Sequence, residues 1–156
     1  MHWHGDAVSA DEKARNFAYY EQRTVRDSSL SACTQAIIAA EVGHLELAHD
    51  YIGEAALMDL HDLEHNTRDG VHIASLAGAW LAIVAGLGGM RDQDGVLAFA
   101  PRLPRRISRL QFSVLWRGMR LQITAGQHEA TYSDGRRIAC CCKGATRGAF
   151  DVRLLA

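Results

Sequence analysis

The chain has no surplus of charge of either sign: 17 Lys and Arg stand against 18 Asp and Glu, a formal net charge of −1. That balance gives no basic field to steer nucleic acid or an anionic membrane surface, so neither is expected as a partner. Cysteine offers no staple. Cys140, Cys141 and Cys142 are consecutive and only Cys33 stands apart; neighbouring side chains diverge, which makes a poor disulfide framework, and a reducing, cytoplasmic setting is the expectation. The first residues, Met1-His2-Trp3-His4-Gly5-Asp6, have neither the basic nor the apolar region of a signal peptide. Long apolar runs are scarce as well. Only Val71 to Met90 resembles a membrane span, and its many Gly and Ala residues supply little transfer energy.

What is present is the composition of a globular protein, with 48% hydrophobic and 22% charged residues over 156 positions. That is enough for one domain, or parts of two, with a real core. Ser9 with Glu12 three residues on reads as a capping box opening a helix to residue 21, with Phe17 and Tyr20 on its apolar edge. Ser28 or Ser29 is expected to cap a second helix whose stripe is Leu30, Cys33, Ile37 and Ala40, ended by Gly43. His44 opens a third, with Leu45, Ala48, Ile52, Ala55 and Met58 on one face; the short break places it antiparallel to its predecessor. A fourth is predicted from about Asp69, as its cap, to about Gly86. Its small residues, Ala74, Ala77, Gly78, Ala82 and Ala85, allow close helix approach.

After Gly88-Gly89 the pattern changes to short runs of period two. Val96 to Phe99, Leu110 to Trp116, Leu121 to Thr124 and Ala130 to Tyr132 read as antiparallel strands, with Arg117-Gly118 and Ser133-Asp134-Gly135 as turns and the two prolines, Pro101 and Pro104, after the first run. A domain boundary is therefore expected between Gly88 and Asp94. Residues 135–156 carry no pattern that assigns them.

Several constellations bear on chemistry. His61-Asp62-Leu63-Glu64-His65 fits H-x-x-E-H, in which two His one helical turn apart hold zinc and the Glu acts as base, but it falls beside the Asn66 to Gly70 turn. Three consecutive cysteines do not suit one tetrahedral ion, and the glycines of Gly86 to Gly89 follow a helix, lacking the strand-turn-helix setting of a phosphate loop. Asp27, Glu41, Glu46, Asp59, Asp62, Glu64 and Asp69 are candidate carboxylates for glycosidic chemistry, and spacing selects no pair among them. His72 and Ser75 are three residues apart in an otherwise apolar helix, so they share a face; together they suit one small polar ligand, while a satisfied core His is the plainer alternative.

At Thr24-Val25-Arg26-Asp27-Ser28-Ser29-Leu30-Ser31 and at Asn66-Thr67-Arg68-Asp69-Gly70-Val71-His72-Ile73-Ala74-Ser75 the chain closely resembles family 65 of the glycoside hydrolases, whose members include inverting phosphorylases of maltose, trehalose, kojibiose and nigerose. Ala77-Gly78-Ala79-Trp80, Gly88-Gly89-Met90-Arg91 and Leu97 to Pro104 follow in the same order, and the resemblance runs from about residue 5 to residue 132. It implies an α+β chain: residues 1–87 as the last helices of a six-fold (α/α) barrel, residues 88–134 as part of a small antiparallel β-sandwich, residues 135–156 unassigned. It also implies phosphate-binding roles for His72 and Ser75. A position between them that is often Thr in the family is Ala74 here.

The reaction the resemblance implies is inverting phosphorolysis of an α-glucoside. An acid protonates the leaving oxygen while phosphate attacks the anomeric carbon from the opposite face. Inorganic phosphate is then a co-substrate, with no cofactor and no metal; a disaccharide or glucose 1-phosphate is the other partner, and association into a homo-oligomer is a further expectation. The family's general acid lies upstream of the Asp27 motif, in a part of the barrel this chain does not contain, so no catalytic residue is expected here. The chain therefore reads as a truncated frame, perturbed near residue 135. A non-catalytic carbohydrate-binding or subunit-interaction module is the alternative, and a zinc hydrolase using His61 and His65 the remote one.

Overall fold

The computed structural model describes residues 8–25, 28–63, 65, 67–93, 96–135 and 138–142. The chain divides into two compact units, Met1–Leu87 and Gly88–Ala156.

In the first unit α1 spans Ala10–Glu21. Its capping box forms: the Ser9 hydroxyl accepts from the Glu12 amide and the Glu12 carboxylate accepts from the Ser9 amide at 2.9 Å. Such caps contribute about 1 kcal/mol. Phe17 is buried and stacks on His44 at 5.5 Å, whereas Tyr20, predicted beside it, is exposed. Helix α2, Ser31–Val42, starts without a serine cap: Leu30 holds the cap position and is itself exposed, while the Ser28 hydroxyl only accepts weakly from the Leu30 amide. Along α2 the burial is not one stripe. Ala32, Cys33, Gln35, Ala36, Ile37, Ala39 and Ala40 are all buried, as in a helix with neighbours on several sides. Gly43 ends it at φ +97°, the left-handed geometry that glycine adopts without Cβ strain.

Helix α3, Leu45–Leu57, begins after His44 and packs against α2. Its buried face includes Tyr51, whose hydroxyl donates to Glu21 of α1 and so ties the hairpin to the first helix. Helix α4 spans Ile73–Leu81 and continues as a π-helical turn over Ala82–Leu87. It starts later than Asp69 because Thr67–Asp69 forms a separate 3₁₀ turn; the cap is His72. The small residues do what their size predicts. A Cβ at Gly78 would lie 2.9 Å from Cys33 Cβ, and one at Gly86 would lie 3.4 Å from Ile37 Cα, so both glycines mark where α4 and its π turn press onto α2.

In the second unit β1 (Arg91–Gln93) and β2 (Val96–Ala98) pair antiparallel. A separate antiparallel sheet runs in the order β3 (Arg109–Trp116), β4 (Met119–Gly126), β5 (Glu129–Ser133), β6 (Ile138–Cys142). Arg117 (φ 49°) and Gly118 (φ 80°) make the two-residue turn between β3 and β4, both left-handed as a type I′ hairpin requires. Alternation sends Leu121, Ile123 and Ala125 of β4 and Ala130 and Tyr132 of β5 to one buried face. Phe99, just past β2, fills that face against Phe112 and Tyr132, at 6.2 and 5.7 Å between ring centres. The segment without a sequence pattern is structured in part: Ile138–Cys142 pairs residue for residue with β5, from Ser133↔Ile138 to Glu129↔Cys142. The remainder of that tail lies outside the described residues.

Candidate functional site

The segment joining α3 to α4 is organised by two carboxylates. Asp62 Oδ1 accepts from the Thr67 amide at 3.1 Å and from the Thr67 hydroxyl at 2.8 Å. Asp59 engages His72 twice: Oδ2 accepts from the backbone amide at 2.9 Å and Oδ1 pairs with ring Nδ1 at 2.6 Å. The hydrogen bond from the His72 ring, with the bond from the His72 backbone amide adding to it against the cost of burial, holds the Asp59 carboxyl below its ordinary range. An ionised carboxylate can only accept, so Nδ1 carries the proton in this pair. The ring keeps about a fifth of its surface, 21%, exposed. Among the described residues Nε2 has no hydrogen-bond partner.

His72 also stands at the head of α4, where first-turn amides lack intrahelical acceptors and the helix dipole favours an anion. Ala74, beside it, is exposed. Ser75 is placed differently. It is fully buried, and its hydroxyl donates to the Ala55 carbonyl of α3 at 3.1 Å. The structure therefore does not bring His72 and Ser75 together on one open face: the helix begins after His72, which turns the imidazole toward Asp59, while Ser75 faces inward and pins the first turn of α4 to α3.

The H-x-x-E-H match falls on turns rather than on a helix. Asp62 and His65 have φ of 47° and 55°, His61 and His65 are both exposed, and Glu64 lies outside the described residues, as does Asp27. His61 and His65 are thus not a helical turn apart on a rigid face, and among the described residues no group of three or more His, Cys, Asp or Glu is placed to hold a metal ion. No helix among them is long and apolar enough to cross a membrane. Asp59 was one of seven candidate carboxylates in the sequence, and its 13-residue separation from His72 carries no local signal that would single it out.

A concavity of about 480 Å³ lies between α1 and α2, away from His72. Lys13 and Glu41 form an ion pair across these helices at 2.6 Å, and buried Gln35 Oε1 beside them lacks a hydrogen-bond partner among the described residues.

The chain thus sets packed helices, with a clamped imidazole at the head of α4, ahead of an antiparallel β unit. The chain belongs to glycosyl hydrolase family 65: residues 1–81 match its central catalytic domain and residues 90–145 its C-terminal domain. The family pattern thus continues past Tyr132 and takes in β6. An uncharacterised glycosyl hydrolase of Mycobacterium leprae is 61% identical over 85% of this chain and 17% of its own length. The α,α-trehalose phosphorylase of Thermoanaerobacter brockii is 40% identical (82% of this chain, 16% of that protein), and the maltose phosphorylase of Bacillus subtilis 38% (81% and 17%). A solved structure from the human microbiome, provisionally assigned as a kojibiose phosphorylase, superposes with a TM-score of 0.76 at 30% identity, over 82% of this chain and 18% of that one. The chain spans about a sixth of the length of these curated relatives. Its fold is α+β, the terminal helices of the family barrel followed by the small antiparallel β domain.

Proposed function

We propose that the chain is the C-terminal part of an inverting α-glucoside phosphorylase, supplying the phosphate side of the active site without the general acid. The observation that carries this reading is the clamped imidazole of His72, whose Nε2 has no hydrogen-bond partner among the described residues, at the head of α4 and inside the Asn66 to Ser75 motif. The named phosphorylases among its relatives support it. Phosphate at that position would meet the His72 ring and the positive end of α4, with Ser75 contributing by holding the first turn in place. Such contacts orient the phosphate oxygen for attack on the anomeric carbon; they do not protonate the leaving sugar. The chain alone therefore performs no phosphorolysis.

The test is a titration of the purified chain with inorganic phosphate, followed through the imidazole resonances of His72, beside an assay for glucose 1-phosphate from maltose, trehalose and kojibiose. A saturable shift at His72 without product is the expected result. No shift at His72, or turnover by the chain alone, contradicts the proposal.

A subunit-interaction role is the second reading, favoured by one observation. Ile73, Leu76 and Trp80 lie along one face of α4 and are 73%, 42% and 48% exposed, an apolar surface of the kind that marks association. A strictly monomeric chain at high concentration in sedimentation experiments would dismiss it.

A further inference from the structure

We infer that Asp59 is the positioning residue of the His72 site, and that by fixing the imidazole as its Nδ1–H tautomer it makes the site select an oxyanion that carries a proton, phosphate, over one that carries none, sulfate. This rests on the phosphate reading above and adds to it the protonation state of the ligand.

Both oxygens of Asp59 are committed to the same residue, Oδ2 to the His72 amide at 2.9 Å and Oδ1 to Nδ1 at 2.6 Å. Two contacts to one residue fix both the place where the backbone enters α4 and the rotation of the ring. A carboxylate that accepts from one ring nitrogen settles which nitrogen carries the proton of a neutral imidazole. With the proton on Nδ1, Nε2 presents a lone pair. An anion that reaches it must bring a hydrogen-bond donor, and the P–O–H group of phosphate is such a donor. At pH 8 phosphate still carries a proton, whereas sulfate has none, so a sulfate oxygen would face the Nε2 lone pair and repel it. A site built around a hydrogen bond rejects an analogue that cannot make it far more strongly than it rejects a difference in bulk. Size and tetrahedral shape barely separate the two anions, so the tautomer decides. Asparagine could not replace Asp59, because its amide has one acceptor and one donor end and serves only one of the two His72 N–H groups.

The test uses the full chain with ¹⁵N-labelled histidine at pH 8, where a free imidazole is neutral. The His72 ring is expected to show a protonated Nδ1 and an unprotonated Nε2 before any ligand is added. Phosphate is expected to give a saturable shift at Nε2, and sulfate at equal ionic strength to bind at least about tenfold more weakly. Asp59→Asn is expected to mix the tautomers and to weaken phosphate about tenfold, while Asp62→Asn, which disturbs the same loop, leaves the tautomer unchanged. If Asp59→Asn does not fold, the wild-type tautomer and the phosphate-to-sulfate ratio decide. A protonated Nε2 in the wild type, or equal affinity for the two anions, overturns the inference while leaving phosphate binding intact. Absence of phosphate binding overturns the functional reading, and the selectivity with it.

Discussion

The two units of the chain differ in how well they cover themselves. In the β unit the large apolar side chains converge on Phe99, Ile123 and Tyr132, and among the described residues only Leu115 and Met119 are large, apolar and exposed. The helical unit leaves open Tyr19, Tyr20, Leu57, Leu60, Val71, Ile73, Leu76 and Trp80, a hollow of about 480 Å³ between α1 and α2, and a buried amide oxygen on Gln35 that has no partner among the described residues. Its core, by contrast, is mostly alanine, packed by backbone approach at Gly78 and Gly86. The difference teaches that the β unit packs around its own side chains, whereas the helices have the surface of an array that continues. The helical residues match the family's central catalytic domain, and the chain spans about a sixth of the length of its curated relatives.

Four substitutions or conditions test that contrast, from the largest effect to the smallest. Ile123→Ala, which empties a fully buried position of the β sheet, should cost about 2–5 kcal/mol in denaturant unfolding; a loss under about 1 kcal/mol would mean that this unit is not packed around its own core. Gly78→Ala should cost about 1–3 kcal/mol, because its methyl would press on Cys33, and Cys33→Ala in the same chain should restore only part of that loss, since it removes Sγ but keeps the Cβ 2.9 Å away.

Acid should act on the helical unit through Asp59. Its folded pKa lies below the ordinary Asp value of about 3.9, so the stabilisation is present above that pH and is lost as pH falls through the folded value. Thermal melts from pH 6 to pH 2 should show this loss, with a shallower acid slope in Asp59→Asn; an unchanged slope would exclude the pair as its source. Least of all, Trp80→Ser should change stability by under about 0.5 kcal/mol while reducing self-association in sedimentation velocity. A large destabilisation would show that Trp80 is packed within the unit after all.

Much of this was legible wherever the cause is local. The Ser9–Glu12 capping box, the Gly43 stop and the Arg117-Gly118 hairpin turn each depend on residues within a few positions of one another, and each forms. The small residues of α4 likewise announced close packing. The start of α4 was misplaced because its cap is set by Asp59, 13 residues away, rather than by the nearby Asp69. The same separation hid the clamp on His72. Ser75 was read as sharing an open face with His72 because both were placed inside one helix; once the helix starts at Ile73, the hydroxyl turns inward to Ala55. Strand β6 escaped notice because Ile138–Cys142 has no alternating pattern, and its identity as a strand comes from backbone pairing with β5.

The central claim, that this chain holds the phosphate side of a site completed by the preceding part of a family 65 catalytic domain, is tested most directly by supplying that part. The measurement is glucose 1-phosphate formation by a fusion in which residues 8–142 replace the matching segment of the T. brockii trehalose phosphorylase, with trehalose and phosphate as substrates. The account predicts activity from the fusion, at least a hundredfold loss on His72→Ala, equivalent to about 2.7 kcal/mol of transition-state stabilisation, and none from the chain alone. A fusion that folds and turns over equally well with His72→Ala would contradict it.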